Sequence, residues 1–370
     1  MPTEVAPWEP LLEGGEADRA LAIVSEIAVA VRDLPEATGS RCLLGATGRA
    51  TFLAYAAWSG LADEAAATAL LESDLVALCT QGCPVGLWHG YAGLRWALTH
   101  LAPGEDIVDP LERIDAVIRG ALEASPWAGG HDLSDGLAGV ALALVATPAS
   151  SGSRALGRVV DHAEDWLDTR TGPVELGCAH GLAGVVGAVA RLATAGVEPD
   201  RCARLLERAV PLLLDDGAEP DRNTSWCRGH AGLAVAVFSA GRAASRGDWE
   251  AAGVDLAHRA FRQARDQEPA DACLCHGTAG LGHIANRFYQ ATRQDAFRGE
   301  ALHFLRRAIE MRRPGEGAAG YSMLQRRAGL PTWVADTSLV VGAAGVGLAL
   351  LAAGTPMRPE WDRLLLADFS

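Results

Sequence analysis

Gly229-His230-Ala231-Gly232-Leu233-Ala234-Val235-Ala236-Val237 opens with a Gly-x-x-Gly element and continues as small and apolar residues, and the element has six relatives in the chain. They are Gly45-Ala46-Thr47-Gly48, Gly90-Tyr91-Ala92-Gly93, Gly136-Leu137-Ala138-Gly139, Gly181-Leu182-Ala183-Gly184, Gly277-Thr278-Ala279-Gly280 and Gly342-Ala343-Ala344-Gly345. Successive first glycines stand 45, 46, 45, 48, 48 and 65 residues apart, a period that marks a repeat architecture. Each element leads into a run almost free of charge, such as 185–195, 233–243 and 346–353, which reads as a helix buried nearly all round. Amphipathic segments lie between the runs. Cys202, Leu205, Leu206, Ala209 and Leu213 share one helical face, with Arg204, Glu207 and Arg208 opposite. Leu302, Leu305 and Ile309 do the same against Arg306, Arg307 and Glu310. This i, i+3, i+4, i+7 spacing predicts outer helices with one buried stripe. Strand-type alternation is nearly absent, and the oversized last step contains a Gly-, Arg- and Pro-bearing segment, 312–332, that reads as a loop. Uniformly apolar inner helices favour a closed ring over an open solenoid. The expectation is an all-α chain, an α/α-barrel or toroid of seven inner and seven outer helices, forming a single domain over residues 1–370.

The composition is that of a globular protein: 49% hydrophobic and 21% charged residues in a chain of 370. A net charge of −14 argues against a phosphate-backbone partner, so no nucleic acid is expected. The first residues show no secretory pattern, and Gly, His or Arg interrupts the longest apolar runs, so neither export nor a membrane span is expected. The expected location is cytoplasmic. Eight cysteines are too few for a disulfide scaffold in a chain this long and should be reduced, available as ligands or core fillers.

The repeat converts sequence offset into position. Immediately before the first Gly stand Leu44, His89, Asp135, His180, Arg228, His276 and Val341, and five of these seven are polar or titratable although greasy helices follow. Helix capping accounts well for Asp135 and poorly for His or Arg. One residue earlier, Cys227 and Cys275 occupy the same offset in adjacent repeats, and His276 follows Cys275. Two thiolates and an imidazole suit zinc, and three protein ligands leave the fourth tetrahedral place open, as in catalytic sites. Cys273 is the nearest candidate for a fourth ligand, but its spacing to Cys275 makes joint chelation awkward. Cys42, Cys79, Cys83, Cys178 and Cys202 lack the register and read as core.

The glycine elements, Ser225-Trp226-Cys227-Arg228-Gly229 and Cys275-His276-Gly277 together resemble the LanC-like lanthionine cyclases, over about 44–351. The resemblance implies an α/α-barrel with one zinc held by Cys227, Cys275 and His276. It implies an acid–base histidine at His180, within Ala179-His180-Gly181, and a functional aspartate at Asp132, four residues before Gly136; Asp135 is then left as the helix cap. The family's arginine, four residues before the first zinc cysteine, is replaced here by Asn223, with Arg222 or Arg228 as the candidate substitutes. The β-rich insertion known in this family between the first two repeats has no counterpart in a step of only 45 residues.

The reaction so implied is a Michael-type addition of a peptide cysteine to dehydroalanine or dehydrobutyrine, forming a (methyl)lanthionine ring. The expected partners are a dehydrated precursor peptide and the dehydratase that supplies it. His180 would protonate the enolate, Asp132 would orient or charge-tune a neighbour, and Arg222 or Arg228 would steady enolate charge. The alternatives are a LanC-like protein that adds or binds glutathione or another small thiol, and a non-catalytic partner in a peptide-modifying complex. An α/α-toroid glycosidase or terpene cyclase would carry carboxylates where this chain carries mainly Cys and His.

Overall fold

The computed structural model describes residues 7–34, 42–102, 107–146, 152–172, 174–215, 223–327 and 329–369. In chain order the helices are α1 (Gly14–Asp33), α2 (Ala46–Trp58), α3 (Glu64–Gln81), α4 (Tyr91–Leu101), α5 (Val108–Leu122), α6 (Leu137–Val145), α7 (Gly152–Thr169), α8 (Leu182–Thr194), α9 (Pro199–Leu214), α10 (His230–Ala243), α11 (Gly247–Asp266), α12 (Thr278–Thr292) and α13 (Asp295–Glu310). Strands β1 (Met323–Arg327) and β2 (Leu330–Val334) and helix α14 (Ala343–Gly354) complete them. Among the described residues, seven helices follow a glycine element and seven alternate with them, as the repeat predicts. The expected burial contrast holds: every residue of α6 from Leu137 to Leu144 is buried, whereas α9 buries only Cys202, Leu205, Leu206, Ala209, Val210 and Leu213.

The glycine element has a local cause. In repeat five, the loop before α10 doubles back over the helix N-terminus, so that the Asn223 carbonyl accepts the His230 N–H at 3.2 Å. The same closure recurs from Leu182 to Glu175 O (2.8 Å), Leu137 to Gly130 O (2.9 Å) and Thr278 to Asp271 O (3.1 Å). Loop carbonyls, rather than capping side chains, thereby satisfy N–H groups that a helix start leaves without partners. The loop backbone then lies where side chains would stand. A Cβ on Gly229 would sit 2.1 Å from Asn223 O, and one on Gly232 would sit 2.0 Å from Trp226 O. Both positions of Gly-x-x-Gly are thus demanded by the chain's own returning loop.

Contacts divide the chain into two compact units. The first comprises 41–47 and 71–260. In it α8 packs on α6, α9 and α10, while α4 packs on α5 and α6. Buried Trp226 meets Trp88 edge-on, with ring centroids 6.3 Å apart. The second comprises 1–40, 48–70 and 261–370. There α12 lies against α13 and α14, and α14 against α1. A buried cluster of His283, Arg287 and Asp362 ties α12 to the 3-10 helix Glu360–Leu365, with His283 Nε2 2.7 Å from Asp362 Oδ2.

One sequence expectation fails in the second unit. Part of the 312–332 segment is not loop: β1 and β2 pair as an antiparallel hairpin, from Met323 opposite Val334 to Arg327 opposite Leu330. Gly329, at φ +82°, supplies the left-handed backbone of the tight turn. Pro331 is tolerated because a two-stranded hairpin consists only of edge strands. Mean composition hid a short strand pair.

Candidate functional site

The seven loops before the glycine elements share a burial rhythm. Residues three and two before the glycine are buried or nearly so, whereas the residue just before it is exposed at His89, Asp135, His180, Arg228 and His276. Within the first unit a backbone ladder locks this rhythm: Trp88 N–H donates to Ser134 O (2.9 Å), Ser134 N–H to Ala179 O (3.0 Å) and Ala179 N–H to Cys227 O (3.1 Å). In the second unit Cys275 N–H donates to Val340 O at 3.0 Å. Every rung joins residues at the same offset in successive repeats, so the exposed residues one step further on follow one another in repeat order within each unit.

In the first unit His89 Nδ1 lies 2.8 Å from Asp135 Oδ1, with both side chains about half exposed. Asp135 is therefore not the cap of α6; the cap position is Gly136, without a side-chain hydrogen bond. Asp132 does the local backbone work instead, its Oδ1 accepting the Asp135 N–H at 2.9 Å. The bond to Asp135 raises the His89 pKa. Burial works against the charge of Asp135, but His89, Ser134 and His180 outweigh it and hold the carboxyl low. His180 is exposed. Arg228 is half exposed, with Nη1 3.8 Å from Glu175 Oε1. Arg222 lies outside the described residues. Asn223, where the family places an arginine, serves the loop backbone, and its Oδ1 accepts the Ser225 N–H at 2.7 Å.

Asp271 and Asp336 repeat that turn, accepting the Cys273 N–H (3.0 Å) and the Ser338 N–H (2.7 Å). Asp271 also accepts Leu324 N–H from β1 at 2.9 Å, so the hairpin is fastened to the loop that carries Cys275 and His276. His276 Nε2 lies 3.5 Å from Asp271 Oδ2. Burial opposes its charge, yet Asp271 and Cys273 push its pKa up to about 11. Among the described residues, donor atoms of Asp271, Cys273 and His276 gather within 4.8 Å of one another, a group able to hold a metal. Cys275 is not in that group. Sequence reasoning missed Asp271, although its offset, shared with Asn223 and Asp336, was a visible signal.

The thiols also separate. Neither Cys227 nor Cys275 is joined in a disulfide; Cys227 is partly exposed and Cys275 is 9% exposed. Cys42, Cys178 and Cys202 are buried as expected, and burial pushes the Cys202 thiol up to about 11. Cys83 is only half-buried, and the Cys79 side chain lies outside the described part of the chain. The donor chemistry of Cys227, Cys275 and His276 fits zinc.

These features define a mostly helical repeat protein whose glycine-capped helices carry exposed imidazoles one residue after thiols that form no disulfide. A family model described as "Lanthionine synthetase C-like protein" matches residues 45–366, and the chain belongs to that family. Among solved structures it is similar to nisin cyclase, with a TM-score of 0.70 and 16% identity over 95% of this chain and 98% of that one. The fold is thus the LanC-like α/α-toroid class that the repeats predict. No curated protein sequence matches the chain. Among the described residues no helix is long and apolar enough to cross a membrane.

Proposed function

We propose that the chain acts as a single LanC-like domain, a zinc-dependent cyclase that joins a peptide cysteine to dehydroalanine or dehydrobutyrine. The observation that supports this most strongly is the register. Cys227 and Cys275 stand two residues before the repeat glycine, outside any disulfide, and His180 and His276 stand one residue before it, exposed. Family membership and the fold shared with nisin cyclase point the same way.

Cys227, Cys275 and His276 would hold the zinc, which when bound would supply the Lewis acidity that keeps a substrate thiol deprotonated near neutral pH. The remaining work falls to side chains. The sulfur forms a bond to the β-carbon, the π pair moves toward the carbonyl, and a proton is placed on the α-carbon. The S–H proton lost and the C–H proton gained balance, so no oxidant or reductant is needed. His180 holds the proton for the α-carbon, a role suited to an exposed imidazole. Arg228 steadies the developing enolate charge. Asp132, engaged on the Asp135 N–H, shapes the loop that presents these groups. The substrate must arrive dehydrated, so a dehydratase acts before this protein.

Incubation with a dehydrated, cysteine-containing precursor peptide tests the reading. Each ring should consume one free thiol with no change in peptide mass, because the reaction is an isomerisation. Constant thiols would overturn the proposal, and a mass gain equal to added glutathione would mark a small-thiol transferase instead.

A further inference from the structure

The resemblance assigns His276 to the metal and says nothing of what holds its ring. Asp271 stands five residues earlier in the same loop. That loop is pinned at several points. Thr278 N–H donates to Asp271 O at 3.1 Å and Cys275 N–H to Val340 O at 3.0 Å, and a Cβ on Gly277 would stand 2.2 Å from Cys273 N. With the backbone fixed, the direction of the His276 ring is what remains to be set. The ring is 41% exposed, but it reaches back to a carboxylate that is 1% exposed, with Nε2 3.5 Å from Asp271 Oδ2, at the outer edge of hydrogen-bond reach. Asp271 itself is held rigidly, Oδ1 accepting the Cys273 N–H at 3.0 Å and Oδ2 the Leu324 N–H at 2.9 Å. An ionised carboxylate only accepts hydrogen bonds, so the ring nitrogen turned toward it is the one that carries a proton. Asn223 and Asp336 make the same turn in their own loops, yet five residues beyond them stand Arg228 and Val341. Of the three, Asp271 alone has an imidazole to hold.

We propose that Asp271 is a positioning residue of the metal site: its buried carboxylate holds the Nε2 edge of the His276 ring and leaves Nδ1 as the nitrogen offered to zinc. This rests on the reading of Cys227, Cys275 and His276 as the zinc ligands, and it adds a residue that the family pattern does not name. A histidine that ligates a metal commonly gives its other N–H to a carboxylate, which fixes the tautomer and makes the ligand more basic. Asp271 acts through His276 rather than as a ligand. Turning Oδ1 to a cation would strip the buried Cys273 N–H of its acceptor, a loss that costs free energy.

Two measurements on the full-length protein test this, and neither needs turnover. In the first, zinc affinity is read by competition with a chelator. Asp271→Asn, which keeps an oxygen for the turn, should raise the zinc Kd by about 10- to 100-fold. Asp336→Asn makes the same change in a turn that faces no histidine and should leave the Kd near wild type. In the second, heteronuclear NMR of the zinc-loaded protein with labelled histidine, assigned with His276→Gln, shows which ring nitrogen carries the proton. A protonated Nε2 and a metal-bound Nδ1 support the inference. Zinc on Nε2 in wild type, an unchanged Kd in Asp271→Asn, or an equal rise in Asp336→Asn overturns it. Loss of zinc from Cys273→Ala to the same extent as from Asp271→Asn would make the aspartate a ligand and overturn it too. Should Asp271→Asn fail to fold, the wild-type ring spectrum alone decides. Zinc-loaded protein that cyclises no peptide would sink the cyclase reading and leave this inference standing, whereas wild type that takes up no zinc overturns both.

Discussion

The two units present the same offset in different company. In the first, the exposed residues before the glycines look sideways: His89 pairs with Asp135 of the next repeat, and the charge of His180 bears on the same carboxylate. In the second, His276 turns back into its own loop, toward Asp271 and Cys273, and Asp271 is in turn fastened to the hairpin that precedes the last repeat. One backbone plan therefore supports two electrostatic habits. Where the shared carboxylate is half exposed, it can be changed at little cost to the fold. Where a buried carboxylate also anchors backbone, the loop that carries Cys275 and His276 is stiffened and any change is felt structurally.

The strongest way to break this contrast is to remove one histidine of the first unit. His180→Ala should lower ring formation by about 10²- to 10⁴-fold, the usual range for a general acid, while the thermal midpoint and zinc content stay near wild type. A loss of zinc in parallel would make His180 part of the metal site and erase the distinction.

Asp271 should show the opposite pattern, a stability effect first. Its buried carboxylate accepts the Cys273 and Leu324 N–H groups. Asp271→Ala leaves both donors without a partner, at a cost of roughly 2–5 kcal/mol in thermal or denaturant unfolding. Asp271→Asn keeps an oxygen for the turn, as Asn223 does for Ser225, and should cost about half as much. Equal costs for Ala and Asn would show that the hairpin bond, not the turn, is what matters.

The smallest effect lies in the His89–Asp135 pair. The His89 pKa is raised in the folded protein, so its contribution is fully present below the unfolded value near 6.5 and is lost as pH climbs through the raised folded value. An exposed pair of this kind is worth well under 1 kcal/mol, so wild type should exceed His89→Gln by about 1–2 °C at pH 6 and by nothing at pH 9. A gap that widens with pH would reverse the sign and contradict the pairing.

The helical plan was legible because glycine spacing and apolar runs are properties of the backbone period. Leu182–Thr194 and His230–Ala243 fall where 185–195 and 233–243 were read. On α13 the stripe is rotated slightly, since Ala301, Phe304 and Ala308 are buried with Leu305 and Ile309 while Leu302 is only half-buried. The hairpin escaped because Gly, Arg and Pro in one short segment mask a five-residue pairing. The offset of Cys227, Cys275, His180 and His276 was readable, since register follows from counting. The partners of these groups were not. Asp135 meets His89 rather than capping α6, and Asp271 meets His276, because those choices depend on side-chain direction, between two loops in the first case and within one loop in the second.

The central claim is that Cys227, Cys275 and His276 hold zinc, and elemental analysis of purified protein tests it most directly. Wild type should carry one zinc per chain, lost in Cys227→Ala and in Cys275→Ala and kept in Cys273→Ala. Zinc retained in the first two variants and lost in Cys273→Ala would place the metal with Asp271, Cys273 and His276 and contradict the account.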